Sequence, residues 1–222
     1  MALQQPERTA RVRGVIYDLD GTLVDSRDDL ADSVNAMLGR LGLPQREPGV
    51  IYGFIGEGAE LLIRRSLGPA HEDRYPEAGP IWRAEYGKRL LSKTRLYPGV
   101  AEVLQAGPDA RGVLTNKPGG FAREILRGLG VEQAFREVIG GDEAARKPAP
   151  DGLLRLCAAL GIGPESVVLV GDSAVDLATG KAGGVRVCAV TWGLGQRASL
   201  ASANYLCDTP AELGELLGRL GT

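Results

Sequence analysis

The stretch Val15-Ile16-Tyr17-Asp18-Leu19-Asp20-Gly21-Thr22-Leu23-Val24-Asp25-Ser26 most constrains what this chain can fold into. A β-branched and aromatic run stops abruptly on two acids, a glycine and a threonine, the pattern of a buried strand delivering carboxylates to its carboxyl end. Open α/β sheets bind ligands at that end. Asp18 and Asp20 alternate with Leu19, so extended geometry turns both carboxylates to one side. A strand that merely ends in a polar turn would use the same residue types. Three later segments favour the first reading, because each again brings polar groups to the end of an apolar run.

The first of these is Gly112-Val113-Leu114-Thr115-Asn116-Lys117-Pro118, a strand ending in a hydroxyl and an amide that could also serve as an ordinary helix cap. In Arg146-Lys147-Pro148-Ala149-Pro150-Asp151, prolines restrict the chain before a helix, and Lys147 alone would read as a surface charge. Val167-Val168-Leu169-Val170-Gly171-Asp172-Ser173-Ala174-Val175-Asp176 carries four apolar residues to Asp172. Asp176 lies four positions on, on the same face of a helical first turn.

Between these segments the period of the apolar residues changes. Asp28 to Leu41 and the stretches to Leu67 and Leu91 show helical spacing, with breaks expected at Pro76 and Pro80 and a Gly-rich turn at Gly53 to Gly58. From Leu96 onward strands and helices alternate, with Pro98 placed in the first turn of a helix. Alternation of this kind predicts an α/β fold, a doubly wound parallel sheet with helices on both faces. The expected division is a Rossmann-like core of residues 1–23 and 97–222, with residues 24–96 as a small helical cap inserted after the first strand. Such a cap would sit above the carboxyl end of that strand.

Composition narrows the function classes. A length of 222 residues suits one large domain with an insert, and a net charge of -2 supplies no basic field for nucleic acid. No apolar run approaches the roughly 20 residues that cross a bilayer. Residues 1–14 carry Arg8, Arg11 and Arg13 without an apolar segment, so they read as a tail rather than a secretory signal. Cys157, Cys188 and Cys207 are odd in number and scattered, which suits buried thiols in a reducing cytoplasm.

Converging carboxylates repel by about 4 kcal/mol per pair at 4 Å with an effective dielectric near 20. A positive partner is required. Hard oxygen ligands suit Mg²⁺, although Mn²⁺ accepts the same set, and His71 is the only histidine. With Mg²⁺ and Lys147 present, such a pocket could accept a phosphate dianion.

Asp18-Leu19-Asp20-Gly21-Thr22, Thr115-Asn116, Lys147-Pro148 and Gly171-Asp172-Ser173 with Asp176, in this order, resemble the four motifs of the haloacid dehalogenase superfamily. The resemblance implies Asp18 as nucleophile and Asp20 as general acid and base. It implies that Thr115 and Lys147 hold the phosphoryl group; Asn116 and Gly56 are expected as further substrate contacts. Mg²⁺ would sit on Asp18, the Asp20 carbonyl and Asp172, with Asp176 behind them orienting Lys147 or a metal-bound water. Dehalogenases of this superfamily lack an acid where Asp20 stands, so Asp20 favours phosphate ester hydrolysis or a phosphomutase.

Leu23-Val24-Asp25-Ser26, Ile55-Gly56-Glu57-Gly58, Thr115-Asn116-Lys117-Pro118 and Val190-Thr191-Trp192-Gly193-Leu194-Gly195 resemble the phosphoglycolate phosphatase subgroup. The Ile55 to Gly58 turn either dips into the site or is a plain helix entry, and Arg64 and Arg65 either meet a substrate carboxylate or lie on the surface. The expectation is a cytoplasmic, Mg²⁺-dependent phosphatase, a monomer or homodimer. Its partner would be a small phosphorylated metabolite, 2-phosphoglycolate first, with no nucleic acid or membrane. The competing readings are another small ester, pyrophosphate or a nucleotide as substrate, a sugar phosphomutase, or a non-catalytic phosphate-binding module.

Overall fold

The computed structural model describes residues 10–221, so Arg8 and most of the expected tail lie outside the described residues. The chain opens with β1 (Gly14–Tyr17) and a two-residue strand β2 (Val24–Asp25). Helices α1 (Arg27–Arg40), α2 (Pro48–Tyr52), α3 (Ala59–Leu67) and α4 (Tyr75–Gly87) follow, and β3 (Arg95–Leu96) pairs antiparallel with β2. Next come α5 (Val100–Ala106), β4 (Ala110–Leu114), α6 (Gly119–Gly128) and β5 (Glu137–Ile139). The chain continues through α7 (Asp151–Leu160), β6 (Val167–Gly171), α8 (Ala174–Gly183) and β7 (Arg186–Val190). It closes with β8 (Tyr205–Cys207) and α9 (Pro210–Leu220).

Six strands form one parallel sheet in the order β5-β4-β1-β6-β7-β8. β1 is central, and Tyr17 stands opposite Val113 of β4 and Val170 of β6. Every residue of β1, β4 and β6 is buried, which explains the apolar runs of β1 and β6, while β4 also buries Arg111. The order reverses about β1, so the residues just after β1, β4 and β6 meet at one switch point.

Alternation along β1 divides the core in two. Val15 and Tyr17 join a cluster with residues of α5, α6 and α9, whereas Ile16 joins Leu153, Leu156 and Leu160 of α7. The first cluster runs on without interruption into Val34, Met37 and Leu38 of α1 and Trp82 and Tyr86 of α4. The helical segment therefore shares one apolar core with a face of the sheet.

Three details differ from the sequence reading. α2 forms just ahead of the expected Gly53 to Gly58 turn, where no helix was expected, opened by Pro48 in the first helical turn. α4 runs straight through both prolines: Pro76 lies in its first turn, where no N–H is needed, and Pro80 removes a single helical bond while Ala78, Trp82 and Tyr86 are buried around it. Pro98 lies just ahead of α5, whose cap is Gly99 at φ +92°.

Asp29, in the first turn of α1, is fully buried. Its carboxylate accepts hydrogen bonds from the backbone N–H of Lys93 at 2.9 Å and from the N–H and hydroxyl of Thr94, both at 2.8 Å. The segment's exit is thereby tied to its entry. Replacing Asp29 with Ala strands two backbone donors and is expected to cost about 3 kcal/mol of stability, measured by urea denaturation. A loss below about 0.5 kcal/mol would contradict this role.

Candidate active site

The turn after β1 folds back tightly, with the Gly21 N–H bonded to the Val24 carbonyl at 2.9 Å. Gly21 has φ +86°, and a Cβ there would come within 2.2 Å of an Asp172 carboxylate oxygen. Only glycine lets the two strand ends close to this distance. Asp18 N–H bonds the Val170 carbonyl at 2.8 Å, so Asp18 prolongs the sheet by one rung before the turn.

Lys147 Nζ lies 2.9 Å from Asp18 Oδ1 and 2.6 Å from Asp176 Oδ1, and all three side chains are buried. Its backbone is held by Asn116, whose amide oxygen accepts from Lys147 N–H at 2.8 Å and whose Nδ2 donates to the Lys147 carbonyl at 3.1 Å. The Lys147–Pro148 peptide is cis. Asp176 also closes the first turn of α8, accepting from the Ser173 hydroxyl at 2.6 Å and its N–H at 3.1 Å.

Asp172 is braced from two sides. Thr22 donates its hydroxyl to Oδ1 at 3.2 Å, and the N–H groups of Leu194 and Gly195 donate to Oδ2 at 2.7 and 3.2 Å. A Cβ on Gly195 would lie 1.8 Å from the Asp172 carbonyl, and Trp192 Nε1 donates to the Thr22 carbonyl at 3.1 Å. The loop after β7 therefore supports this acid, a role that its apolar and glycine composition did not disclose.

Carboxylate oxygens of Asp18, Asp172 and Asp176 come within 4.8 Å of one another, a set that could hold a metal ion. Three buried acids share one lysine, so the donor set is hard oxygen with negative charge in excess, which fits a divalent cation such as Mg²⁺. The carboxylate of Asp20 is not in this set. Its Oδ1 accepts a hydrogen bond from Ser26 and lies 3.0 Å from Lys117 Nζ. Asp18 and Asp20 both line one cavity, while their carboxylates meet different partners, Lys147 for Asp18 and Ser26 and Lys117 for Asp20.

That cavity, partly open to solvent, lies between the strand ends and the helical segment. Thr115, Asn116 and Lys117 line it from the sheet, and Ile55, Gly56 and Trp82 from the helices. The Gly56 turn does reach the site, and its carbonyl accepts from Asn116 Nδ2 at 3.1 Å. The Asn116 side chain is thus engaged with backbone on both sides. Thr115 Oγ1 accepts from the Lys117 N–H at 3.2 Å. Arg64 and Arg65 do not line the cavity and pair instead with Glu60 and Glu72, and with Glu57.

Lys117 and its partner Tyr86 were missed as site residues. Lys117 Nζ donates to the Tyr86 hydroxyl and lies 4.6 Å from the centre of its ring. Nothing in the spacing of α4 distinguishes Tyr86 from a core aromatic.

The chain matches the family model of haloacid dehalogenase-like hydrolases over residues 15–190, a span that contains every acid and lysine described above. The chain belongs to this family. It is 36% identical over 218 residues to a phosphoglycolate phosphatase of Chromobacterium violaceum, covering 93% of this chain and 96% of that one. A phosphoglycolate phosphatase of Rhodospirillum rubrum is 38% identical over 221 residues, covering 93% and 91%. Among solved structures, a predicted phosphoglycolate phosphatase from Haemophilus somnus superposes with a TM-score of 0.85 at 31% identity, covering 92% of this chain and 97% of that one. As a haloacid dehalogenase-like hydrolase, the chain is an enzyme.

Burial dominates the ionisation of these groups. It pushes Asp18 up to about 8 against the pull of Lys147, with Asp176 and Asp172 adding to the rise. Asp172 rises to about 6 through burial and the nearby Asp176, opposed by the N–H groups of Leu194 and Gly195. Burial works against the Lys147 ammonium, yet Asp176 and Asp18 hold its pKa above the ordinary lysine value. Asp18 and Asp172 bind their protons more tightly when folded than the ordinary carboxyl value of 3.8. The folded state keeps protons that the unfolded chain has released, so stability falls as pH rises through about 6 and then about 8. Thermal melts in chelator are therefore expected to fall from about pH 5 to about pH 8, with Mg²⁺ raising the melting temperature most at the upper end. A melting temperature independent of both pH and Mg²⁺ would contradict the buried acid cluster.

Proposed function

We propose that the chain is a Mg²⁺-dependent phosphatase that hydrolyses a small phosphate monoester, 2-phosphoglycolate foremost, through an aspartyl-phosphate on Asp18. The observation that carries this reading is the shared exposure of Asp18 and Asp20 to one cavity, with Lys147 buried against Asp18 behind it. A phosphate-binding module has no use for two acids beside an anion. The activity named for the relatives from Chromobacterium violaceum and Rhodospirillum rubrum supports the choice of substrate.

In this reading an Asp18 oxygen attacks phosphorus in line with the ester bond, which breaks as Asp20 gives its proton to the departing alkoxide. Asp20, now a carboxylate, removes a proton from water, and the hydroxide attacks phosphorus to release inorganic phosphate and restore Asp18. Thr115 and Lys147 hold the phosphoryl oxygens, and Asp176 fixes Lys147 from behind at 2.6 Å. Asp18, the Asp20 carbonyl and Asp172 would hold Mg²⁺, which supplies positive charge beside the phosphoryl oxygens. Ser26 orients the Asp20 carboxylate.

Residues 24–96 act as a cap over a core of residues 1–23 and 97–222. The β2–β3 pair, where the chain crosses between the two, is the natural hinge. A cytoplasmic location, as a monomer or homodimer, completes the proposal. Its supports are a reducing home for three free, buried thiols and a substrate that is a small metabolite.

Phosphate release from a panel of small esters, with Mg²⁺ and with chelator, tests the reading. Metal-dependent turnover led by 2-phosphoglycolate is expected. Asp18→Asn should lower kcat by about 10⁴-fold or more, and Asp20→Asn by about 10²- to 10⁴-fold. Full turnover by Asp18→Asn would rule out the covalent route, and a preference for another ester would remove the substrate.

A further inference from the structure

We propose that Lys117 Nζ and the indole N–H of Trp82 form an anchor for a carboxylate on the leaving group, restricting the enzyme to phosphate esters of small 2-hydroxy acids. The proposal rests on the phosphatase reading and assigns its specificity to two residues.

Among the described residues, Lys117 is the one cation lining the cavity, and it is 5% exposed. Its ammonium has three N–H donors, of which one meets Tyr86 and one faces Asp20 Oδ1 at 3.0 Å. One donor is left for a ligand. Trp82 also lines the cavity, is 2% exposed, and its Nε1–H has no hydrogen-bond partner among the described residues. A buried donor without a partner costs free energy that a ligand acceptor would restore.

Packing fixes both groups. Trp82 stacks on Tyr86 with ring centres 5.1 Å apart, and Phe121 meets Tyr86 edge-on at 5.2 Å. Tyr86 in turn holds Lys117. The rest of the helix-side wall includes Leu30, Ile55, Ala59 and Leu62, which offer a sugar's hydroxyls no partners. Unpaired donors in an apolar wall suit a small organic anion.

Distance sets the length of the leaving group. Asp20 must touch the ester oxygen to protonate it, and Lys117 lies 3.0 Å from Asp20. A carboxylate separated from that oxygen by one carbon reaches Lys117 without passing it, whereas a longer acid would overshoot toward the apolar wall. Arg64 and Arg65, already paired with acids away from the cavity, are not competitors for this role.

The test compares kcat/KM for 2-phosphoglycolate with that for ethyl phosphate, which has the same length and no carboxylate, in wild type, Lys117→Met and Trp82→Phe. The ratio is expected to fall by about 30-fold or more in Lys117→Met and about 5-fold in Trp82→Phe, chiefly through KM for phosphoglycolate. A role confined to orienting Asp20 lowers both esters in proportion and leaves the ratio unchanged, which would overturn the anchor. So would a wild-type enzyme that does not distinguish the two esters, and either result would leave the phosphatase reading standing. No wild-type turnover of either ester would overturn that reading and the anchor with it. Thermal melting checks folding, and if Lys117→Met is unfolded, the Trp82→Phe ratio decides: a fall supports the anchor and no change overturns it.

Discussion

Lys147 lies within 3 Å of both Asp18 and Asp176 at the end of the sheet, and the rest of the site depends on that contact. At an effective dielectric near 20, each of its two ion pairs is worth about 6 kcal/mol, and each pair of acids within 4.8 Å costs about 3 kcal/mol or more. One ammonium therefore roughly offsets the mutual repulsion of three carboxylates. It does not offset their lost hydration, and this is why Asp18 and Asp172 hold their protons so tightly. A site with this imbalance is built to receive positive charge and an anion together. The backbone cooperates: Asn116 clamps both peptide groups of Lys147, and Leu194 and Gly195 turn their N–H groups to Asp172.

The helical segment is joined to the sheet by two kinds of contact. An apolar core runs from β1 through α1 and α4 without a gap. Over the cavity the links are polar and few: Asn116 to the Gly56 carbonyl, Lys117 to Tyr86, and Arg146 to Glu60 at 3.6 Å. Polar contacts of this kind exchange with water at small net cost, whereas the apolar core does not.

Much of this was legible in the sequence because strand ends are legible. The runs before Asp18 and Asp172 are apolar on both faces and Thr115 follows Val113-Leu114, and parallel order then brings these ends together. Asp176 was legible from its spacing to Asp172. The residues missed act through tertiary contact. Asp29 looks like an ordinary first-turn acid until the chain returns with Lys93 and Thr94 some 64 residues later. Cys188 and Cys207, 19 residues apart in sequence, bring their sulfurs to 3.6 Å only because β7 and β8 are neighbours. The alternatives for Arg64 and Arg65 stayed open because local spacing says nothing of Glu72 or Glu57. Prolines misled in α4, where burial of Trp82 and Tyr86 outweighs one lost hydrogen bond.

The central claim is that Asp18 becomes covalently phosphorylated during turnover. Rapid acid quench of the enzyme turning over 2-phosphoglycolate with Mg²⁺, followed by mass spectrometry of its peptides, measures this directly. The account predicts one added phosphoryl group on Asp18, appearing and decaying at rates that match turnover. Turnover without any modification of Asp18, or a phosphoryl group on a different residue, would contradict it.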